Sequence, residues 1–330
     1  MAALPSLEEL LASSCVVRIA LTTRFRGIHE REVMLLDGPT GWGEWAPFLE
    51  YGPAESARWL RAAVEGGWGG WPAPLRGSVP VNVIVPAVDP ASAAELVRAS
   101  GGCRTAKVKV AEPGQPLADD IARVAAVRAA LDEGGPGGRV RVDANGGWTV
   151  READTALREL AGFGLEYVEQ PCATLAEQAQ LRRLTDLPLA ADEAVRKSLD
   201  PEDVAGLREA ADLVVLKVAP LGGVRAALRV AEAARLPAVV SSALDTSVGL
   251  AAGVALAAAL PSLPYACGLG SGRLLRSDVV RARLLPVDGE LPVTRPEPDP
   301  ELLADLAAPD ERVSFWRSRL AAAYESMAAS

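Results

Sequence analysis

From Val79 onward the chain repeats one unit: a short apolar run, then a longer stretch of helical pattern rich in Ala, Leu, Arg and Glu. The runs fall at residues 81–85, 105–110, 139–143, 165–169, 189–192, 213–218, 238–241 and 265–268. They are too short for helices, so they predict strands. Strands separated by helices pair in parallel and are covered on both faces, which suits runs of Val, Leu and Ala. Eight such units in about 190 residues predict an α/β fold, a modified (β/α)7β barrel of the TIM type. A doubly wound open sheet is the alternative. No glycine-rich phosphate loop follows the first strand, which weighs against it.

The flanking segments have a different texture. Residues 1–78 predict a smaller α+β domain, with strands at 16–21 and 31–36 about a turn at Arg26-Gly27. A helix is expected over 55–65 and a break over the glycine-rich 66–72. The barrel is expected over 79–272. Residues 273–330 carry a turn at Asp288-Gly289, a stiff proline-rich stretch from Pro296 to Pro300 and a helix over 310–327. This tail is expected to pack back on the first domain.

Composition removes several classes of function. The net charge of −9 argues against nucleic acid as a partner. No uncharged apolar run reaches the ~18 residues of a membrane span. The N-terminal segment contains Glu8 and Glu9 and has no basic start, so it does not predict a secretory signal. The four cysteines, Cys15, Cys103, Cys172 and Cys267, show no CxxC spacing, which predicts reduced thiols in a cytoplasmic protein. The one histidine, His29, lies far from the strand ends, so nucleophile chemistry with a histidine base is not expected.

Basic residues are almost all arginine. Of 34 Lys plus Arg, only Lys107, Lys109, Lys197 and Lys217 are lysine. Lysine, unlike arginine, can lose its proton and act as a base. Lys107 and Lys109 alternate along one strand and so share a face, where burial and mutual repulsion favour a neutral amine.

The ends of successive predicted strands carry charge. Asp143, Glu169, Asp192 and Lys217 follow one another at intervals of 26, 23 and 25 residues, about one strand–helix unit each. Each unit therefore delivers one charged group to the C-terminal mouth of the barrel, where barrel enzymes work. Three converging carboxylates need a cation, and hard oxygen ligands with open positions suit Mg2+, with Mn2+ as a substitute. A cation flanked by lysines suits removal of a proton α to a carboxylate. A noncatalytic metal-binding barrel or a binding protein is the alternative of another class.

Together these residues resemble the enolase superfamily, in its muconate-lactonizing subgroup. The resemblance rests on Lys107-x-Lys109, Asp143-x-Asn145, Glu169-Gln170-Pro171, Asp192-Glu193 and Lys217, the last followed by Gly222-Gly223. Gly41-Trp42-Gly43-Glu44 and Pro47 match the capping domain of that family. The resemblance implies a divalent metal on Asp143, Glu169 and Asp192, with Asn145 and Glu193 supporting the metal site or the lysines. It implies Lys109 as base, its pKa lowered by Lys107, and Lys217 as a cation opposite. Arg141-Val142-Asp143-Ala144-Asn145 and the stretch from Ser241 to Leu250 resemble members that dehydrate a hydroxylated, succinylated cyclohexadiene carboxylate, a small dicarboxylate. Arg141, Ser241, Ser242, Gly268 and Gly270 are then expected near the substrate, with backbone N–H groups at the helix starts after Ser241-Ser242 and near Gly268 to Gly272 taking the succinyl carboxylate. Phe25-Arg26-Gly27 and residues 45–51 are the expected lid. An N-succinylamino acid racemase, using Lys109 and Lys217 as opposed bases, is the nearest rival.

Overall fold

The computed structural model describes residues 4–25, 27–197 and 206–329. The first sheet is antiparallel, in the order β1 (Ser14–Phe25), β2 (Ile28–Gly38) and β3 (Gly41–Trp45). In β1, Val17, Ile19 and Leu21 are buried while Arg18, Ala20 and Thr22 face out, a period of two. That alternation carries the strands beyond the apolar runs at 16–21 and 31–36. The turn falls where expected, with Phe25 paired to Ile28 and Gly27 at φ 80°. Arg26 lies outside the described residues.

Helix Pro53–Val64 packs on β3 at very short range. A methyl group on Gly43 would lie 2.0 Å from the carbonyl oxygen of Ala63, so only glycine fits there. The expected break at 66–72 is instead, in its first part, a π-helical turn, Glu65–Gly69. Gly66 and Gly67 let this turn press on β2 and β3 rather than ending the helix; Thr40 N–H donates to the Gly67 carbonyl at 2.9 Å.

The second sheet is the barrel. Its strands are β4 (Ser78–Val85), β5 (Thr105–Lys109), β6 (Arg139–Asp143), β7 (Leu165–Glu169), β8 (Leu189–Ala191), β9 (Leu213–Leu216), β10 (Ala238–Val240) and β11 (Cys267–Gly270). All are parallel, and each from β4 to β9 pairs with the next in chain order. The sheet curls until β4 also pairs with β11, and the bridge Ser241–Gly268 joins β10 to β11. Helices fill the crossovers, and those after β6 and β7 begin in capping boxes, Thr149 with Glu152 and Thr174 with Glu177.

The alternation sorts the side chains. Val140, Val142, Leu165, Val168 and Val214 face the helices, while Tyr167, Ala190, Leu213, Val215 and Val239 fill the barrel interior. Each buried Val or Leu contributes roughly 1.5–3 kcal/mol. Between β6 and β7 the register slips, Val140 opposing Leu165 but Arg141 opposing Tyr167. The extra residue in this bulge is Glu166, and it is re-aimed to accept from Arg141 Nε at 2.6 Å.

The tail divides its contacts. β12 (Glu290–Pro292) pairs antiparallel with β4, beside the turn at Asp288-Gly289. Helix Asp310–Ala328 returns to the first sheet, where Trp316 meets Trp45 edge-on at 5.4 Å and donates to Glu32 at 2.9 Å. Among the described residues no helix is long and apolar enough to cross a membrane.

Candidate active site

In β5 the side chains of Lys107 and Lys109 point into the barrel, because residues 106 and 108 face the helices. The parallel register sets Lys109 beside Asp143, and Asp143 beside Glu169. Lys107 Nζ lies 2.9 Å from Asp143 Oδ2 and 2.5 Å from Glu169 Oε1. Lys109 Nζ donates to Asp143 Oδ2 and to Asn145 Oδ1, both at 2.6 Å. On the other side, Lys217 donates to Asp192 Oδ2. The structure thus gathers both lysine walls and all three acids at one end of the barrel.

Burial sets the charges. Asp143, Glu169 and Asp192 are all 1 % exposed or less. Desolvation favours the neutral form of Asp143, yet Lys107 and Lys109 hold it well below the ordinary carboxylate range. Glu169 goes the other way, pushed up to about 7 by burial and then by Asp143. Lys109 is lowered by burial, opposed by Asp143 and helped by Lys107. Lys107 differs from the expectation of two amines tending to neutrality. Burial would lower it, but Asp143 and Glu169 raise it well above the ordinary value, so it stays a cation.

The surrounding residues hold the acids in place. Asn145 and Gln170 follow β6 and β7 in left-handed backbone, φ 48° and 38°. Asn145 N–H donates to Asp143 Oδ1 at 3.0 Å, and its amide reaches Glu193 at 3.3 Å. Asp192 N–H donates to Gln170 Oε1 at 3.0 Å. Arg196 donates to Glu193 at 2.8 Å and to the Tyr51 hydroxyl at 2.9 Å, which ties the site to the capping side. Gln170 was named only within the Glu169-Gln170-Pro171 motif, with no role, and Arg196 was missed. The spacing Asp192, Glu193, Arg196 on one helical turn was the available signal.

A cavity of about 40 Å3 opens beside these groups, lined by Lys109, Lys217, Asn145, Ser241, Ser242 and Ser271 among others. Phe25 reaches it from β1, with its ring centroid 5.8 Å from Lys109 Nζ. Ser242 and Ser271 hydroxyls are 2.7 Å apart.

Three expected contacts are placed elsewhere. Arg141 is fully buried below the cavity, bonded to Glu166, Asn82 and the Ala266 carbonyl and stacked on Tyr167. It shares the face of Asp143 but sits one layer deeper. Gly268 and Gly270 lie against Ser241 and Asn82, serving close backbone approach rather than lining the cavity. The helix start after Ser242 has its N–H groups already bonded: Thr246 and Gly249 to Glu44, Ser247 to Asp278, and Val248 to Thr246.

The acids suit a hard divalent ion. Among the described residues no group of three or more Asp, Glu, His or Cys is gathered to hold an ion as the side chains stand, because each acid is turned to a lysine. The donor set nonetheless fits one: three buried carboxylates on neighbouring strands, one pushed towards neutrality, and Asp192 Oδ1 buried without a hydrogen-bond partner.

Residues 90–298 match the family described as enolase C-terminal domain-like, and residues 16–67 match enolase N-terminal domain-like. The chain belongs to the enolase superfamily. Enzymes of this superfamily use a divalent metal. This enolase-superfamily chain is 60% identical over 305 residues to the o-succinylbenzoate synthase of Thermobifida fusca, covering 92% of this chain and 94% of that one. It is 52% identical over 322 residues to the o-succinylbenzoate synthase of Mycobacterium bovis, covering 97% and 96%. Among solved structures its fold is similar to muconate lactonizing enzyme from Pseudomonas fluorescens, with TM-score 0.74 and 23% identity, covering 90% and 98%. It is also similar to the L-Ala-D/L-Glu epimerase from Bacillus subtilis, with TM-score 0.71 and 24% identity, covering 86% and 96%.

Proposed function

We propose that this chain is an o-succinylbenzoate synthase. It removes water from 2-succinyl-6-hydroxy-2,4-cyclohexadiene-1-carboxylate by syn elimination, giving o-succinylbenzoate for menaquinone biosynthesis. The observation that carries this reading is the similarity to synthases of that name over more than nine-tenths of the chain. The position of Lys109 and Lys217 on one cavity supports it.

Asp143, Glu169 and Asp192 would hold the divalent ion, Mg2+ in this reading, with Mn2+ as a substitute. When bound, the ion supplies positive charge for the substrate carboxylate. Lys109 Nζ takes the proton α to that carboxylate, and the C–H electron pair moves into the carboxylate. Lys109 is suited to this by burial, which lowers its pKa, and by Lys107, which remains charged beside it. The C–O bond then breaks, and the proton on Lys109 leaves with the hydroxide as water. Lys217 faces the ring from the opposite wall. Formation of the aromatic ring makes the second step downhill. Ser241 and Ser242 line the side open to the succinyl arm, and Phe25 covers the mouth.

Four free cysteines fit a reducing, cytoplasmic setting for such an enzyme. The deciding experiment is turnover of the cyclohexadiene substrate by purified protein, with and without EDTA. No turnover with metal present would end the reading. A second reading, N-succinylamino acid racemase, is favoured by the two lysines on one cavity. It predicts deuterium exchange at the α-carbon of N-succinylamino acids, lost in Lys217→Ala.

A further inference from the structure

Behind Lys217, where the capping sheet meets the barrel, two acids from different domains pack on one glycine. Glu44 comes from β3, and Asp245 from the loop between β10 and helix Ser247–Ala259. A methyl group built on Gly249 would lie 2.8 Å from both Glu44 Oε2 and Asp245 Cβ. The Glu44 carboxylate accepts from Thr246 N at 3.1 Å, from Gly249 N at 3.0 Å and from the Thr246 hydroxyl. Asp245 accepts from Ala243 N at 2.9 Å. The cation beside them, Arg31 of β2, donates to the carbonyls of Leu244 and Ala46. Both acids line a cavity of about 30 Å3 that also touches Lys217 and Trp59. That volume holds one or two waters.

Residues 241–246 are the same loop that presents Ser241, Ser242 and Leu244 to the catalytic cavity. Glu44 thus holds three donors of this loop and of the helix that follows it from the capping side, and Asp245 brings a second acid to the same glycine. We infer that Glu44, paired with Asp245 beside it, fixes the substrate-facing loop 241–246 to the capping domain, making Glu44 a positioning residue for the reaction. Its effect on turnover rests on the function proposed above; the pair itself does not.

Glu44 is pushed up to about 8, by burial first and by Asp245 second, while Thr246, Arg31 and Gly249 oppose the rise. Asp245 is raised by burial, against the Ala243 N–H, Arg31 and Lys217. A carboxyl whose folded pKa lies above its unfolded one stabilises fully below the unfolded value. That stability is lost as pH rises towards the folded value. The window here runs from about pH 4.5 to about pH 8.

The test is the melting temperature of the full chain across that window, for wild type, Glu44→Gln and Asp245→Asn. Wild type should lose at least about 2–4 °C more than Glu44→Gln between the two ends of the window. Asp245→Asn should flatten the curve likewise, which keeps the test alive if Glu44→Gln folds poorly. Steady-state rates on the cyclohexadiene substrate provide the second readout. KM should rise on the alkaline side in wild type, with a smaller change in kcat, and this rise should be lost in Glu44→Gln. Parallel melting curves for all three proteins overturn the pair. Normal pH-dependent melting with no dehydration at all would instead count against the proposed function alone.

Discussion

Lys107 and Lys109 share one acceptor: Asp143 Oδ2 lies 2.9 Å from the first amine and 2.6 Å from the second. The two are nevertheless unequal. Lys107 is also bound to Glu169 and is held charged, whereas Lys109 has the Asn145 amide as its second partner and is lowered. One strand thus carries, two residues apart, a fixed cation and an amine whose proton is held less firmly.

Removing the fixed cation should be costly. In Lys107→Ala the buried Glu169 loses its ion-pair partner and Asp143 keeps only Lys109, and breaking such a pair typically costs about 3–5 kcal/mol. Urea unfolding of the metal-free protein checks this; a loss below about 1 kcal/mol would mean the pair is not a structural one.

The base should show itself in the pH profile. Because Lys109 is lowered, kcat/KM should rise with pH through an apparent pKa below the ~10.4 of a free lysine. Lys107→Gln removes the neighbouring charge that helps lower it, so the same limb should move to higher pH. Lys109→Ala should lose the dehydration while its melting temperature still responds to Mg2+. A limb that stays in place in Lys107→Gln would separate the two amines.

Metal should stabilise the folded chain. At a Mg2+ concentration 100 times its Kd the gain is about 2.7 kcal/mol, read as a higher melting temperature that EDTA reverses. Asp192→Asn should shrink that gain. An equal Mg2+ response in wild type and Asp192→Asn would remove Asp192 from the ligand set.

The seam between β10 and β11 should tolerate no side chain at Gly268. A methyl group there would lie 2.6 Å from Ser241 Oγ, so Gly268→Ala must displace Ser241 or open the bridge. The expected cost is about 1–3 kcal/mol, with a higher KM because Ser241 lines the cavity. An unchanged melting temperature would show that the seam has slack.

Much of this was legible in the chain, for identifiable reasons. β6 and β7 were read to the residue because Val140, Val142 and Val168 alternate with charged or aromatic partners. β11 was placed two residues early, since Tyr265 and Ala266 look more strand-like than Gly268 and Gly270. The glycines at 66 and 67 suggested a chain break, but here they serve close packing. Arg141 was expected near the substrate only through the resemblance, and its parity does put it on the inner face with Asp143. Depth along the barrel is not encoded in parity, and the Glu166 bulge that captures Arg141 appears only when two strands are aligned. The partners of Lys107 stand on neighbouring strands, so strand spacing could place them nearby but could not say that they hold it charged.

β4 has three neighbours, and two of them, β11 and β12, come from beyond residue 266. On the ribosome the first stave of the barrel must therefore wait, with one flank bare, until nearly the whole polypeptide has been made. The lysines and acids of the candidate site are synthesised long before the ring that aligns them can close.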